Sequence, residues 1–217
     1  MVENMDNESF IIRNGLKIPR VATRLRPADW LGAFKVRCGF GRARYTVEPG
    51  LYAVGNPNAD SAVLVSANYK LSFDALRREL SCLDAWIMVL DTKGVNVWCS
   101  AAKGAFGTDE IVRRIASTEL EKIVNHRKLI VPQLGAPGVA AHEVRKRCGF
   151  SVIYGPVRAR DIISFIKAGH KATAQMRQVR FSFYDRLILT PLEFVHTGKY
   201  IVFAVALLFI LSGFNRH

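Results

Sequence analysis

Cys99 is the residue whose type and surroundings offer the clearest chemistry. It lies in the run Asn96-Val97-Trp98-Cys99-Ser100-Ala101-Ala102-Lys103-Gly104. The small residues after the thiol would let a flat, bulky ligand approach the backbone closely. A thiolate is a soft ligand for a soft metal centre, and a helical turn with Lys103 one turn later favours that charged form. The alternatives are a packed loop cysteine, or a catalytic thiol met in space by His126 or His142.

The other cysteines do not extend this site in the sequence. Cys38, Cys82 and Cys148 form no CxxC pair with one another or with Cys99, and no His/Cys cluster has the spacing of a metal site. The sequence therefore predicts neither an iron–sulfur cluster nor a structural zinc ion held by this chain. In a cytoplasmic protein we expect all four thiols to be reduced.

Apolar runs of strand length alternate with amphipathic segments in the middle of the chain. This alternation predicts an α/β fold, a Rossmann-like parallel sheet with helices on both faces. A Glu48-Pro49-Gly50 turn also predicts a short hairpin over 43–54. The predicted strands are 62–66, 85–90, 129–131 and 151–154, and the predicted helices are 72–80, 108–125 with a break near Ser117, 139–147 and 160–168.

A parallel sheet binds ligands beyond the carboxyl ends of its strands. Four loops should meet there: 67–69, 91–107, 132–138 and 155–157. The second is the longest, and long loops in compact domains are usually functional, so we expect Cys99 to face the ligand crevice. In the third loop, Gln133 and the residues Gly135, Ala136, Pro137 and Gly138 would approach the ligand; a tight strand-to-helix turn is the alternative, and both can hold.

The segment NVWCSAAKGAFGT, residues 96–108, closely resembles the cap-helix motif of the HgcA-type corrinoid proteins. These are the membrane-anchored members of the mercury-methylation pair. The runs YTVEPGLY (45–52), VSANYK (65–70), VPQLGAPGVAAHE (131–143) and VIYGPVR (152–158) resemble the same family, and the likeness extends over residues 27–200. More distantly, the chain is similar to the corrinoid-binding part of the corrinoid iron–sulfur protein of the acetyl-CoA pathway.

The resemblance implies a corrinoid-dependent methyltransferase working under anaerobic conditions. Cys99 would be the lower axial ligand of the corrinoid cobalt, and a methyl group on the upper face would pass to mercuric ion to give methylmercury. An HgcB-type ferredoxin-like protein with two four-iron clusters would reduce the cobalt, and a methyltetrahydrofolate methyltransferase would supply the methyl group. The residues expected to contact the cofactor are Asn96, Val97, Trp98, Cys99, Ser100, Ala101, Ala102, Lys103, Gly104, Phe106, Gly107, Thr108, Gln133, Gly135, Ala136, Pro137 and Gly138.

Two positions depart from the family motif, which reads Cys-Ala-Ala-Gly-Lys, or has Ser in the third place. Ser100 follows the cysteine here, and Ala102 replaces the motif glycine. Ala102 would strain the turn if that position needs a positive φ, and would help slightly if it is helical. Nearby, we expect Asn96 to fix the cap turn through its amide, Thr108 to cap the following helix, and Trp98 to be either core or a wall of the site.

The C-terminal run 200–214 carries no charge and is bounded by Lys199 and Arg216. It is slightly short for a bilayer span of about 20 residues, although Thr197 and Gly198 could extend it; a buried core helix is the alternative. The chain has a formal charge of +13, and its basic clusters favour anionic lipid and a cytoplasmic body. With no nucleic-acid-binding signature, nucleic acid is not an expected partner.

These observations predict four segments and one location. They are an N-terminal basic arm (1–42), a corrinoid-binding α/β domain (43–170), a basic juxtamembrane linker (171–198) and a C-terminal transmembrane helix (199–217), the first of several in the family. We expect the protein in the inner (cytoplasmic) membrane, with the corrinoid domain in the cytoplasm. A diverged corrinoid methyl carrier with another acceptor, and a membrane-anchored binding module without cobalt, remain the alternatives.

Overall fold

The computed structural model describes residues 9–188 and 190–213. These residues form two compact units. The first takes residues 9–26 and 43–179, and the second takes 27–42 together with the described part of 180–217. The first unit therefore includes part of the expected basic arm, while the domain limits given above stay predictions.

The first unit is built on a seven-stranded mixed sheet in the order β1-β2-β3-β5-β4-β6-β7. Four neighbouring pairs are parallel, β2/β3, β4/β5, β4/β6 and β6/β7, whereas β1/β2 and β3/β5 are antiparallel. The sheet is thus mostly parallel, as expected, and the two antiparallel pairs are a correction to the expected parallel sheet. The strands are β1 Phe10–Arg13, β2 Leu16–Val21, β3 Gly50–Val54, β4 Val63–Ala67, β5 Ala85–Leu90, β6 Lys128–Val131 and β7 Ser151–Tyr154.

The two antiparallel pairs have local causes. β1 and β2 are joined by Asn14 and Gly15, whose φ angles of 48° and 78° are both positive, as a two-residue hairpin turn requires. The hairpin predicted over 43–54 does not form, because a 3-10 turn occupies Arg42–Arg44 and only Gly50–Val54 is a strand. That strand pairs with β2 and β5 instead.

Nine helices are present in the described residues. The helix predicted over 108–125 is broken as expected, because Glu119 has a φ of 49°. The nine helices are α1 Pro27–Arg37, α2 Lys70–Arg78, α3 Val97–Ala102, α4 Thr108–Ser117, α5 Leu120–Ile123, α6 Ala141–Cys148, α7 Ile162–Lys167, α8 Phe183–Leu187 and α9 Thr190–Gly213.

The core lies around β4 and β5, in which every residue is buried. Strands buried along their whole length are covered on both faces. On one face Ile87 and Val89 pack with Phe73 and Phe165. Trp86 is fully buried, and its indole N–H donates to the Asn58 carbonyl at 2.9 Å. Because β4 to β7 run parallel, their carboxyl ends share one edge, and the four predicted loops meet there.

The second unit contains α1, α8 and α9. Among the described residues, one candidate span is long and apolar enough to cross a membrane; its bounds are Asp185–Ser212, and it lies mostly in α9. None of its most apolar part is buried, unlike a core helix. The helix starts inside the expected linker, and residues 214–217 of the expected span lie outside the described residues. This finding rests on length and composition.

A buried carboxylate ties α4 to the end of β5. Glu110 accepts hydrogen bonds from the Asp91 backbone N–H at 2.8 Å and from the guanidinium groups of Arg113 and Arg114. Burial acts to raise the pKa of Glu110, but these hydrogen bonds outweigh it and leave the pKa below its ordinary value. The loop that carries Cys99 therefore starts from an anchored point.

A lowered carboxyl pKa predicts a pH-dependent stability. The contribution of Glu110 is present above its unfolded pKa of about 4.3 and is lost as the pH falls through the lower folded pKa. We expect Glu110→Gln to reduce the free energy of unfolding by about 1–3 kcal/mol near neutral pH, and the difference to shrink in acid. Denaturant titrations of both proteins at neutral and acid pH test this. Glu121→Gln, an exposed carboxylate, is the control, and a pH-independent difference would contradict the prediction.

Candidate functional site

The short helix α3 presents Cys99 and is capped by the residue that the sequence predicted. Asn96 has extended backbone geometry at the N-cap, and its side-chain oxygen accepts a hydrogen bond from the Cys99 backbone N–H at 2.9 Å. An N-cap side chain satisfies one of the orphan donors of the first helical turn. The backbone that carries the thiol is therefore fixed at its nitrogen.

Ser100 is accommodated without an unpaired hydroxyl. It is fully buried, and its Oγ donates to the Asn96 carbonyl at 2.6 Å. Because a buried hydroxyl costs free energy only when its hydrogen bond is missing, serine fits at this place in the motif. Its side chain points into the protein.

The opposite side of α3 is open. Cys99 is an exposed, free thiol, and Ala102, one turn later, is also exposed. Ala102 is the last helical residue and does not have a positive φ, whereas Gly104 does, at 81°. The strain considered for Ala102 therefore does not arise. Trp98, with 48 % of its surface exposed, and Lys103 complete this open side.

A residue not singled out in the sequence, Asn68, holds the start of the loop. It follows β4 directly and is buried. Its side-chain oxygen accepts from the Thr92 N–H at 3.1 Å, the Thr92 hydroxyl at 2.8 Å and the Gly94 N–H at 3.0 Å. The signal available in the sequence was an amide side chain directly after an apolar strand, at the edge of the sheet where ligands bind.

The turn that follows is compact. The Thr92 hydroxyl also lies 2.6 Å from the Val95 carbonyl oxygen, so its one proton is shared between that oxygen and Asn68. Lys93 and Gly94 both have positive φ angles, of 57° and 70°. An added Cβ at Gly94 would lie 2.9 Å from the Ala43 carbonyl oxygen, so only glycine fits. The chain is thereby turned back within a few residues to begin α3.

Asp91 stabilises the same turn electrostatically. Its carboxylate accepts from the Lys93 backbone N–H at 3.1 Å and from the Lys93 ammonium at 2.5 Å. Burial acts to raise the pKa of Asp91, but the bonds from Lys93 prevail and lower it. Asp91 is therefore ionised at neutral pH and can accept both hydrogen bonds from Lys93.

The glycines of the third loop serve close packing against the cap helix. Residues Gln133–Gly138 form a 3-10 helix. A Cβ added at Gly135 would collide with the Phe106 ring, and one at Gly138 would lie 2.9 Å from the Ala101 carbonyl oxygen. Gly138 thus lets this loop lie against α3, and Gly135 lets it lie against the Phe106 ring, while the approach of these residues to a ligand stays a prediction.

The other predicted residues of this region have separate places. Gln133 accepts a hydrogen bond from the Arg177 guanidinium, Ala136 is half-buried, and Pro137 is exposed. The expectation for Thr108 was wrong: Gly107 is the N-cap of α4, and the Thr108 hydroxyl accepts from the Ala140 backbone N–H at 2.9 Å. This hydrogen bond joins the start of α6 to the start of α4.

An apolar cavity of about 370 Å³ lies beside the cap helix at the carboxyl ends of the strands. The first residues of the cap helix form one wall, and Trp98 is part of it rather than of the core. Helix α2 and the segments after β6 and β7 form the others. The lining residues include Asn96, Val97, Trp98, Ser66, Leu76, Ile130, Pro132, Leu134, Pro156 and Ile162.

The two histidines considered as partners for a catalytic thiol make contacts elsewhere. His126 lies 2.9 Å from the Ser61 carbonyl through Nε2 and accepts from the Lys128 backbone N–H through Nδ1. His142 lies 3.6 Å from the Glu143 carboxylate. In the described part of the chain, no group of three or more His, Cys, Asp or Glu side chains could hold a metal ion. The geometry favours a lone exposed thiol.

The role of Asn68 can be tested by removing its amide. We expect Asn68→Ala to leave the Thr92 and Gly94 donors unpaired and to lower the free energy of unfolding by about 1–3 kcal/mol. Hydrogen exchange at the Thr92 and Gly94 amides should accelerate more than in β4. Asn125→Ala, at an exposed amide, is the control. Unchanged exchange in the Asn68 variant would show that the loop holds its shape without this residue.

Comparison with known proteins places the cap helix within a matched region. The family model for the CO dehydrogenase/acetyl-CoA synthase delta subunit (CdhD) matches residues 41–166, more than half of the chain. The chain is 32% identical over 123 residues to the acetyl-CoA decarbonylase/synthase complex subunit gamma of Methanopyrus kandleri, covering 56% of the chain and 26% of that protein.

Similar relatives include the subunit gamma of Archaeoglobus fulgidus, 33% identical over 118 residues, covering 54% of the chain and 25% of that protein. The corrinoid/iron-sulfur protein large subunit of Moorella thermoacetica is 28% identical over 124 residues, covering 56% and 27%. The matched part thus spans about a quarter of each relative. The region matched by the family model, residues 41–166, contains β3 to β7, the cap helix and the cavity beside it. By this match the chain belongs to the CO dehydrogenase/acetyl-CoA synthase delta subunit family.

Proposed function

We propose that this chain is a corrinoid-dependent methyl carrier in which the Cys99 thiolate ligates the cobalt. The observation that carries the proposal is the exposed thiol on α3, held at its own backbone nitrogen by Asn96. It lies at the edge of the sheet where α/β folds bind ligands. The relation to a corrinoid/iron-sulfur protein large subunit over 56% of the chain supports it.

The residues present fit a corrinoid. A thiolate is a suitable soft donor for cobalt, and Ala102 leaves the surface next to Cys99 without bulk. The apolar cavity beside Trp98 has the concave, mainly apolar character of a cofactor site and could take the part of the corrinoid that lies away from the ring. When bound, the corrinoid would supply a cobalt centre able to accept and release a methyl group.

The chain itself would position the Cys99 thiolate and donate its charge to the cobalt. Asn68, Thr92 and Asn96 hold the cap turn in one geometry, so that Cys99 is offered without reorganisation. Ser100, Ala101 and Phe106 anchor the inner side of the helix. We place the remaining predicted contacts, Val97, Lys103, Gly104 and Gly107, along the same cap segment, while Gln133 and residues 135–138 support it from the third loop.

For the methyl acceptor we propose mercuric ion. The support is the NVWCSAAKG run, which resembles the cap motif of the mercury-methylation family, together with the soft, thiophilic nature of mercury. An HgcB-type ferredoxin-like partner and a methyltetrahydrofolate methyltransferase belong to this proposal. The second candidate is transfer within an acetyl-CoA decarbonylase/synthase-type assembly, which the names of the relatives favour.

We also propose that α9 anchors the protein in the cytoplasmic membrane, with the corrinoid domain in the cytoplasm. The support is the apolar, unburied stretch Asp185–Ser212 and the net charge of +13, since basic residues beside a span stay on the cytoplasmic side.

The cobalt ligand can be tested by spectroscopy. We expect the purified chain, reconstituted with cobalamin, to show the absorption change of a thiolate bound to cobalt, and Cys99→Ala to lack it because the donor is gone. Cys82→Ala removes another exposed thiol and should behave like the wild type. If the wild type and Cys99→Ala give the same spectrum, Cys99 is not the ligand.

The acceptor is tested separately by product analysis. With methylcobalamin bound and mercuric chloride added, the wild type should form methylmercury, and Cys99→Ala should form far less. Cys82→Ala is again the control. If the methyl group passes to an added thiol while no methylmercury appears, mercury is the wrong acceptor and the carrier function still stands.

A further inference from the structure

Helix α1 (Pro27–Arg37) has a buried face and, opposite to it, an exposed apolar face. Asp29, Ala33 and Val36 form a buried face at helical spacing. Trp30, Leu31 and Phe34 lie on the other side and are 54%, 55% and 61% exposed. An apolar helix face is normally covered, so the exposed face of Trp30, Leu31 and Phe34 is expected to meet an apolar partner.

The charges of α1 define the kind of partner. Trp30, Leu31 and Phe34 fall at 100°, 200° and 140° from Asp29 on a helical projection of about 100° per residue. Lys35 and Arg37 fall at either margin of this apolar arc. Asp29, the one acidic residue of the helix, is buried, so the charged side chains that reach the surface of α1 are basic.

The helix belongs to the same compact unit as α9. The chain just after α1 approaches the start of that helix, since a Cβ added at Gly39 would lie 3.0 Å from Leu192 Cδ1. Phe40, in the same segment, is 61% exposed. Thus the exposed arc of α1 is followed by a segment lying against the amino-terminal turn of the apolar helix.

We propose that α1 lies in the interfacial plane of the membrane, with Trp30, Leu31 and Phe34 in the boundary between headgroups and acyl chains. Lys35 and Arg37 then reach the anionic headgroups along the margins of the arc. Interfacial helices combine an apolar face with a basic polar border, and tryptophan favours the headgroup level. This inference rests on the proposed membrane location of α9, and it assigns a lipid contact to a second, separate segment of the chain.

A protein groove is less well matched to this surface. The arc is short, has an aromatic ring at its centre and carries basic residues on both margins, which suits the negative surface of the cytoplasmic leaflet. A protein cover would need its own apolar groove edged by acidic groups. The bilayer supplies both features without a specific partner.

The test uses the full chain in vesicles of phosphatidylcholine and phosphatidylglycerol containing brominated acyl chains, which quench nearby tryptophans. Replacing Trp30 with phenylalanine should reduce the bromine-dependent quenching about two-fold or more, because Trp30 would be the tryptophan at the interface. Trp98→Phe removes an exposed tryptophan of the first unit and should leave that quenching in place. Leu31→Gln with Phe34→Gln should weaken the quenching of Trp30.

Carbonate extraction of the same vesicles separates this proposal from the anchoring by α9. If the chain resists extraction but Trp30→Phe leaves the quenching unchanged, α1 is not interfacial while the anchor stands. If the chain is extracted, the anchor itself fails. Emission from Trp30 that is blue-shifted yet insensitive to brominated chains would mean that a protein surface covers the arc, and the proposal would be overturned.

Discussion

The side-chain oxygen of Asn68 is the acceptor on which the geometry of the candidate site depends. It receives two backbone N–H groups and one hydroxyl from the loop after β5, and so joins the ends of the two central strands. Removing a buried acceptor with several partners costs free energy, because each donor would be left without a hydrogen-bond partner. The position of the cap helix, and with it Cys99, follows from this clamp and from the Asn96 cap.

Ser100 and Ala102, the two departures from the HgcA-type cap-helix motif, lie on different sides of α3. Ser100 lies on the inner side of α3, where its hydroxyl finds the Asn96 carbonyl, and it cannot touch a ligand on the open side. Ala102 lies on the open side in helical geometry. It adds one methyl group there without backbone strain, so any effect of this residue on the proposed corrinoid would come from direct contact.

The parts of the fold that the sequence predicted well are those with one strong local signal. The apolar runs predicted β5 and β7 with their observed limits, and the break in the helix over 108–125 was predicted near Ser117. β1 and β2 were not predicted, because their charged residues made the segment around the Asn14-Gly15 turn resemble a basic arm. β3 was predicted as part of a hairpin, because its true partner strands are distant in sequence. The roles of Gly135 and Gly138 could not be foreseen, since they depend on Phe106 and Ala101 across the loop.

The family match covers the candidate site but not helices α1, α8 and α9. Residues 41–166 contain the cap helix, Asn68 and the cavity, so the machinery proposed to hold the corrinoid lies within what this chain shares with its family. Helices α1, α8 and α9 lie outside that range and carry most of the exposed large apolar side chains. A methyl carrier needs the same ligand geometry whichever acceptor it serves, whereas its location decides which acceptor and which partner proteins it meets. The features that set this chain apart from the matched segments of its relatives are therefore to be sought in its second unit, which contains α1, α8 and α9, more than in the residues around Cys99.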